Sequence, residues 1–174
     1  MKTIQKLGLL LIAVVLSVSV YAQTPKPRVS PPASVSGQIG ETTITIHYSS
    51  PSVKDRVIWG ALVPYDSVWR AGANEATTFE TNQNIKIAGK LLPAGKYGFF
   101  LVPKARGRWI AIFNNVPNQW GAFKYDRSKD ELRVKVKTIP LQQKQEALSY
   151  QLNAKGFVLN WDLLSVFVPV TQVQ

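Results

Sequence analysis

The sequence predicts an all-β fold, a single antiparallel β-sandwich or barrel-like domain with one long ordered loop. Three observations lead there. Apolar and polar residues alternate with a period of two over several short stretches, turn-forming residues punctuate those stretches at close intervals, and no long amphipathic helical pattern competes with them.

Each element can be justified in turn. Thr42 to Ser49 sets Ile44, Ile46 and Tyr48 on one face and Thr43, Thr45 and His47 on the other. Leu132, Val134 and Val136 alternate with Arg133, Lys135 and Lys137, and Leu148, Tyr150 and Leu152 with Ser149, Gln151 and Asn153. This is the pattern of antiparallel strands with one face in the core and one in water. Tyr97–Val102 and Trp109–Phe113 are apolar on both faces, as central strands are, and Phe157–Val170 fits one or two further strands with a bend near Asp162. Turns are expected at Gly40-Glu41, Ala88-Gly89, Pro93-Ala94-Gly95-Lys96 and Arg106-Gly107, because proline presets one turn dihedral and glycine accepts positive φ. A short helical turn is expected at Trp59–Leu62 or Tyr65–Trp69.

The N-terminus has a different logic. Lys2 and Lys6 precede an uncharged apolar run, Leu7 to Val20, followed by Val20-Tyr21-Ala22. A charged start, an apolar stretch and small or branched residues at a cleavage point make a secretory signal peptide over residues 1–22. The run is too short for a bilayer span of about 20 residues, so cleavage and a periplasmic or secreted location are expected. Residues 23–33 contain four prolines, which exclude a helix or a central strand and suggest an extended linker. The β-domain then occupies residues 34–174.

Composition narrows the chemistry. There is no cysteine and a single histidine, His47. Disulfides, zinc–thiolate sites, thiol nucleophiles and His-rich metal sites are excluded, and no cofactor is expected. The chain carries a formal charge of +11. The basic residues are scattered, as on a solvated surface. If the charge serves binding, the accessible partner for an exported protein is an anionic envelope surface rather than nucleic acid.

Residues 50–75 break the strand pattern. They are too long for a hairpin loop yet rich in Trp, Tyr, Val, Ile and Leu, which points to an ordered excursion packed over one edge of the domain. Arg70, Asn74 and Glu75 lie within six residues there, next to Trp69. A planar five-donor guanidinium, an amide and a carboxylate beside an aromatic wall are what a small polar site needs. Trp120, in a Gly- and Asn-containing loop, and His47, on a polar strand face, are further candidates. The competing reading makes Arg70 and Glu75 an internal ion pair that staples the loop to the strand starting at Ala76.

Several strings in this region and beyond carry a resemblance: Tyr48-Ser49-Ser50-Pro51-Ser52-Val53-Lys54, Leu62-Val63-Pro64-Tyr65, Val68-Trp69-Arg70-Ala71-Gly72-Ala73-Asn74-Glu75-Ala76-Thr77, Leu92-Pro93-Ala94-Gly95-Lys96-Tyr97 and Asn118-Gln119-Trp120-Gly121. Together they resemble a family of exported bacterial proteins, domain of unknown function 2911, across nearly the whole chain after the linker. The resemblance implies export and a β-rich fold and carries no established activity. Ser50 departs from the Arg expected there, so any ligand contact made by such an Arg is absent.

Three functions follow as expectations. The first is a non-enzymatic binding module for a small polar or carbohydrate-like ligand at the 50–75 face. The second is a hydrolase using Glu75 as general acid or base, with Asp66 as a possible second carboxylate. The third is a structural cell-envelope protein. No Gly-x-Ser-x-Gly elbow, Walker motif or dinucleotide fingerprint is present.

Overall fold

A computed structural model describes residues 27–173. The segment expected to be a signal peptide, and the first residues of the linker, lie outside the described residues. The rest forms nine antiparallel strands in one sheet of order β1-β2-β3-β6-β7-β8-β9-β4-β5, which is not closed into a barrel. The barrel-like alternative is therefore corrected, since β1 and β5 remain as the two ends of the sheet.

The strands are where the alternation puts them. β1 (Pro32–Ile39) and β2 (Thr42–Ser49) form a hairpin through Gly40-Glu41, with Ile39 opposite Thr42. β3 (Thr77–Thr81) pairs with β2 and with β6 (Gly95–Val102), which in turn pairs with β7 (Trp109–Asn114). β4 (Ile85–Ile87) and β5 (Lys90–Leu92) turn at Ala88-Gly89, both with positive φ, the twist that suits a two-residue hairpin. β6 and β7 are central and largely buried on both faces. The short helical turn expected at Trp59–Leu62 or Tyr65–Trp69 is replaced by ordinary turns; among the described residues the helical element is one 3-10 turn, Arg127–Lys129.

β8 (Asp130–Asn153) and β9 (Gly156–Gln172) are far longer than the rest. They pair over Lys137–Pro140 with Leu164–Phe167, and again over Ser149–Asn153 with Gly156–Asn160, with the register broken between. The break coincides with Pro140, which has no N–H to donate, and with Asp162 at φ 54°. The bend expected near Asp162 is thus present within one strand. It folds β9 back until the Val170 amide reaches the Lys155 carbonyl at 3.0 Å. Gly156 permits this closeness, because a Cβ there would lie 2.1 Å from the Val168 carbonyl oxygen.

The folded hairpin places Phe157 and Tyr150 over the inner face of the central strands. Phe157 lies 5.4 Å from both Phe79 and Phe99, and Phe113 lies 5.0 Å from Phe79, between ring centroids. One sheet thus supplies both layers of a sandwich. At one end of this core, Trp59, Trp69, Trp109 and Trp161 pack together, with Trp59 edge-on to the other three. A smaller apolar cluster, Ala76, Phe100, Val102 and Ile112, lies apart from the main core, and Ala122 and Tyr125 pack on it.

β1 begins at Pro32, inside the stretch expected to be an extended linker. An edge strand tolerates proline. Ahead of it, the Pro31 carbonyl accepts from the Ser50 amide at 2.9 Å, so this part of the segment is docked on the domain.

Candidate functional site

The excursion between β2 and β3 is built from short tethers. Val53 donates to the Glu146 carbonyl and Leu148 to that of Pro51, while Trp69 and Leu101 exchange both backbone bonds, at 2.8 and 2.9 Å. Val53, Ile58 and Val63 are buried beneath it. Of seven non-glycine residues with positive φ among the described residues, five are here: Lys54, Asp55, Asp66, Ala71 and Asn74. Such backbone is costly and persists only where its surroundings over-determine it. Here the Ala71 carbonyl accepts from the Tyr150 hydroxyl at 2.7 Å and the Thr77 hydroxyl at 3.1 Å, and Trp69 Nε1 donates to the Gly72 carbonyl at 3.2 Å. Tyr150 is buried, and burial pushes its phenol well above the ordinary value.

These tethers shape a cleft of about 380 Å³. Val29 and Ser30 of the docked N-terminal segment form one wall, and Trp69 and Trp161, stacked at 5.8 Å, contribute another. Lys54, Arg56 and Arg70 all line it, and among the described residues no carboxylate does. Arg56 is held in place by the carbonyls of Ser52 and Val53, at 2.6 and 3.0 Å. Arg70 has no ion pair among the described residues, its Nε is buried without an acceptor, and burial lowers its pKa. Trp161 Nε1, on the same lining, and Trp59 Nε1, packed against it, are also buried without acceptors.

The structure divides the predicted residues. Trp69, Arg70 and Asn74 share this cleft. Asn74 donates from Nδ2 to the Ser30 carbonyl at 3.1 Å, so its amide fastens the N-terminal wall. Glu75 turns away. Its carboxylate takes both contacts from Arg28 Nη1 at 2.8 Å, and with His47 it lines a separate cleft of about 350 Å³. The Arg70–Glu75 staple is therefore corrected: the ion pair staples the N-terminal segment to the loop, and Arg70 takes no part. Its own backbone N–H, then Arg28, hold the Glu75 carboxyl below the usual range, the opposite of what a general acid at neutral pH requires. Asp66 pairs with Lys104 and does not line the cleft that Glu75 shares with His47. Among the described residues no group of three or more Asp, Glu or His could hold a metal ion.

Trp120 is 59% exposed and joins Glu75 by an isolated bridge outside the cationic cleft. Tyr125, its neighbour in the same loop, is a structural residue. Its ring packs on Phe100, and its hydroxyl donates to Asp130 and accepts from Arg133. Sequence reasoning missed Lys54 and Arg56. Their signal was the absence of any nearby acid paired with Arg70, which only the fold reveals.

Residues 30–170 match the model of a family described as a protein of unknown function, DUF2911. No curated protein and no solved structure matches the chain.

Proposed function

Taking as premise that this chain belongs to the DUF2911 family, we propose that it is an exported, non-enzymatic binding module for a small polar ligand bearing an acid group. An acidic sugar is the carbohydrate-like form of such a ligand. The observation that carries the proposal is Arg70: a partly buried guanidinium without an anion, beside Lys54 and Arg56, in a cleft without an acid among the described residues. Desolvating a cation with no partner costs stability. An oxyanion offsets that cost by accepting from the guanidinium in a charge-assisted bond. The cleft's volume suits a small molecule, and the strained backbone holding Arg70 keeps the site formed before binding. The Trp69–Trp161 stack supplies the apolar wall.

Calorimetric titration of residues 23–174 with glucuronate and with glucose tests this. Glucuronate should bind at least about tenfold tighter, a preference worth roughly 1.4 kcal/mol, and Arg70→Met should abolish the preference. Equal binding of the two sugars, or a preference unchanged in Arg70→Met, would sink the proposal. Because Arg70 is unpaired, Arg70→Met should leave the unfolding free energy unchanged or raise it by up to about 1 kcal/mol, as loss of a functional charge often does.

A further inference from the structure

The cationic cleft does not end at Arg70. Leu62, Val63, Trp69 and Arg70 each line a second cleft of about 260 Å³ as well. Its remaining walls include Pro64, Val68, Ala122 and Phe123, and Arg70, on the boundary, is its one charged lining residue among those described. The two clefts thus share an edge, with cations on one side and apolar groups on the other.

The apolar side is open. Phe123 is 83% exposed and Leu62 45% exposed, so neither is spent on the core. A lone exposed apolar residue needs no explanation, whereas two lining one cleft beside a cationic site do. Gly121 lets this edge close up. A Cβ there would lie 3.1 Å from the Phe123 ring and 3.5 Å from Arg70 Nη1, and its φ of 63° suits glycine. The aromatic ring and the guanidinium therefore flank one glycine, on either side of the boundary between head-binding and apolar surfaces.

We propose that the ligand is an anionic amphiphile, with its acid headgroup among Lys54, Arg56 and Arg70 and its apolar tail laid across the second cleft between Leu62 and Phe123. This rests on the anion-binding reading above and adds the tail. The combined space takes a headgroup and a short chain, and a longer chain would run out past Phe123 into solvent. Charge complementarity selects the head, and continuity of the two clefts selects a ligand that is apolar immediately beyond it.

Ethyl phosphate and octyl phosphate, titrated as monomers against residues 23–174, separate the two claims. Burial of even two methylenes predicts octyl phosphate to bind on the order of tenfold tighter than ethyl phosphate. Phe123→Ser and Leu62→Ser, both at exposed positions, should each bring the ratio towards one. Octyl maltoside, with the same tail and no charge, should bind at least about tenfold more weakly than octyl phosphate. Equal affinities for the two phosphates overturn the tail site while leaving the anion site standing. An octyl advantage unchanged by both substitutions, or shared fully by octyl maltoside, overturns the proposed placement and head. Failure of both phosphates to bind overturns this inference together with the reading beneath it.

Discussion

The central strands and the 50–76 excursion hold their residues in place by opposite means. In β2, β3, β6 and β7 the backbone runs in regular ladders, and the buried rings of Phe79, Phe99 and Phe113 pack on one another. Stability there is spread over many similar contacts. The excursion concentrates positive-φ residues, tethers its backbone with single side-chain bonds such as Tyr150 to Ala71, and lines its cleft with an arginine that has no ion pair among the described residues. The sheet is held by many repeated contacts and the loop by a few specific ones. That difference is what a binding site on a rigid scaffold looks like in energetic terms.

Four experiments can break or sharpen the contrast. The largest effect should come from the sheet. Phe99→Ala removes a ring with 1% exposure that meets Phe113, Tyr150 and Phe157. By analogy with other buried aromatics it should cost about 3–5 kcal/mol in urea unfolding. A loss under about 1 kcal/mol would mean the core tolerates a void and the sheet is not the rigid partner.

Tyr150→Phe tests a single tether. It removes one buried hydrogen bond while the Ala71 carbonyl keeps its bond from Thr77, so the cost should be about 1 kcal/mol. The pH dependence has a definite sign. Burial raises the phenol above its ordinary 10.0, so the folded state retains the proton more strongly than the unfolded chain. The resulting stability is complete below pH 10 and fades as pH climbs through the raised value. In Tyr150→Phe the alkaline fall of the unfolding free energy should be shallower; an identical fall would show that Tyr150 does not contribute.

The N-terminal clasp is weaker still. Arg28 and Glu75 are each about half exposed, so Arg28→Ala and Glu75→Ala should cost at most about 1 kcal/mol each. A double-mutant cycle should find coupling between these two and none between Glu75 and Arg70. Coupling of Glu75 to Arg70 instead would restore the Arg70–Glu75 staple in place of the Arg28–Glu75 clasp.

The smallest effect is acid sensitivity of the same clasp. The Glu75 carboxyl lies below its ordinary 4.5 in the folded protein. Its contribution is therefore present above that pH and lost as pH falls through the lowered value. Hydrogen exchange of the Ser50 amide, which bonds Pro31, should reveal local loosening there as the pH falls through that lowered value. Unchanged protection in acid would show that the segment stays docked without the ion pair.

Much of this protein is legible from its residues in order. Alternation places Ile44 and Ile46 inside and Lys135 and Lys137 outside, because side-chain direction in a strand has a period of two and water sorts the faces. The Gly40-Glu41 and Ala88-Gly89 turns and the bend at Asp162 are local matters of φ, and they fall where local chemistry puts them. The Arg70 to Glu75 string marks the right loop. What the string does not contain is its partners. Glu75 meets Arg28 across 47 residues, Tyr150 reaches Ala71 across 79, and the Lys54 and Arg56 side chains join Arg70 only once β2 and β3 flank the loop. Sequence neighbours reveal which residues could pair by charge. Which of them do pair is decided by where the folded-back β8–β9 hairpin and the docked N-terminal segment bring distant backbone together, because an ion pair forms between groups close in space and carries no periodic trace along the chain.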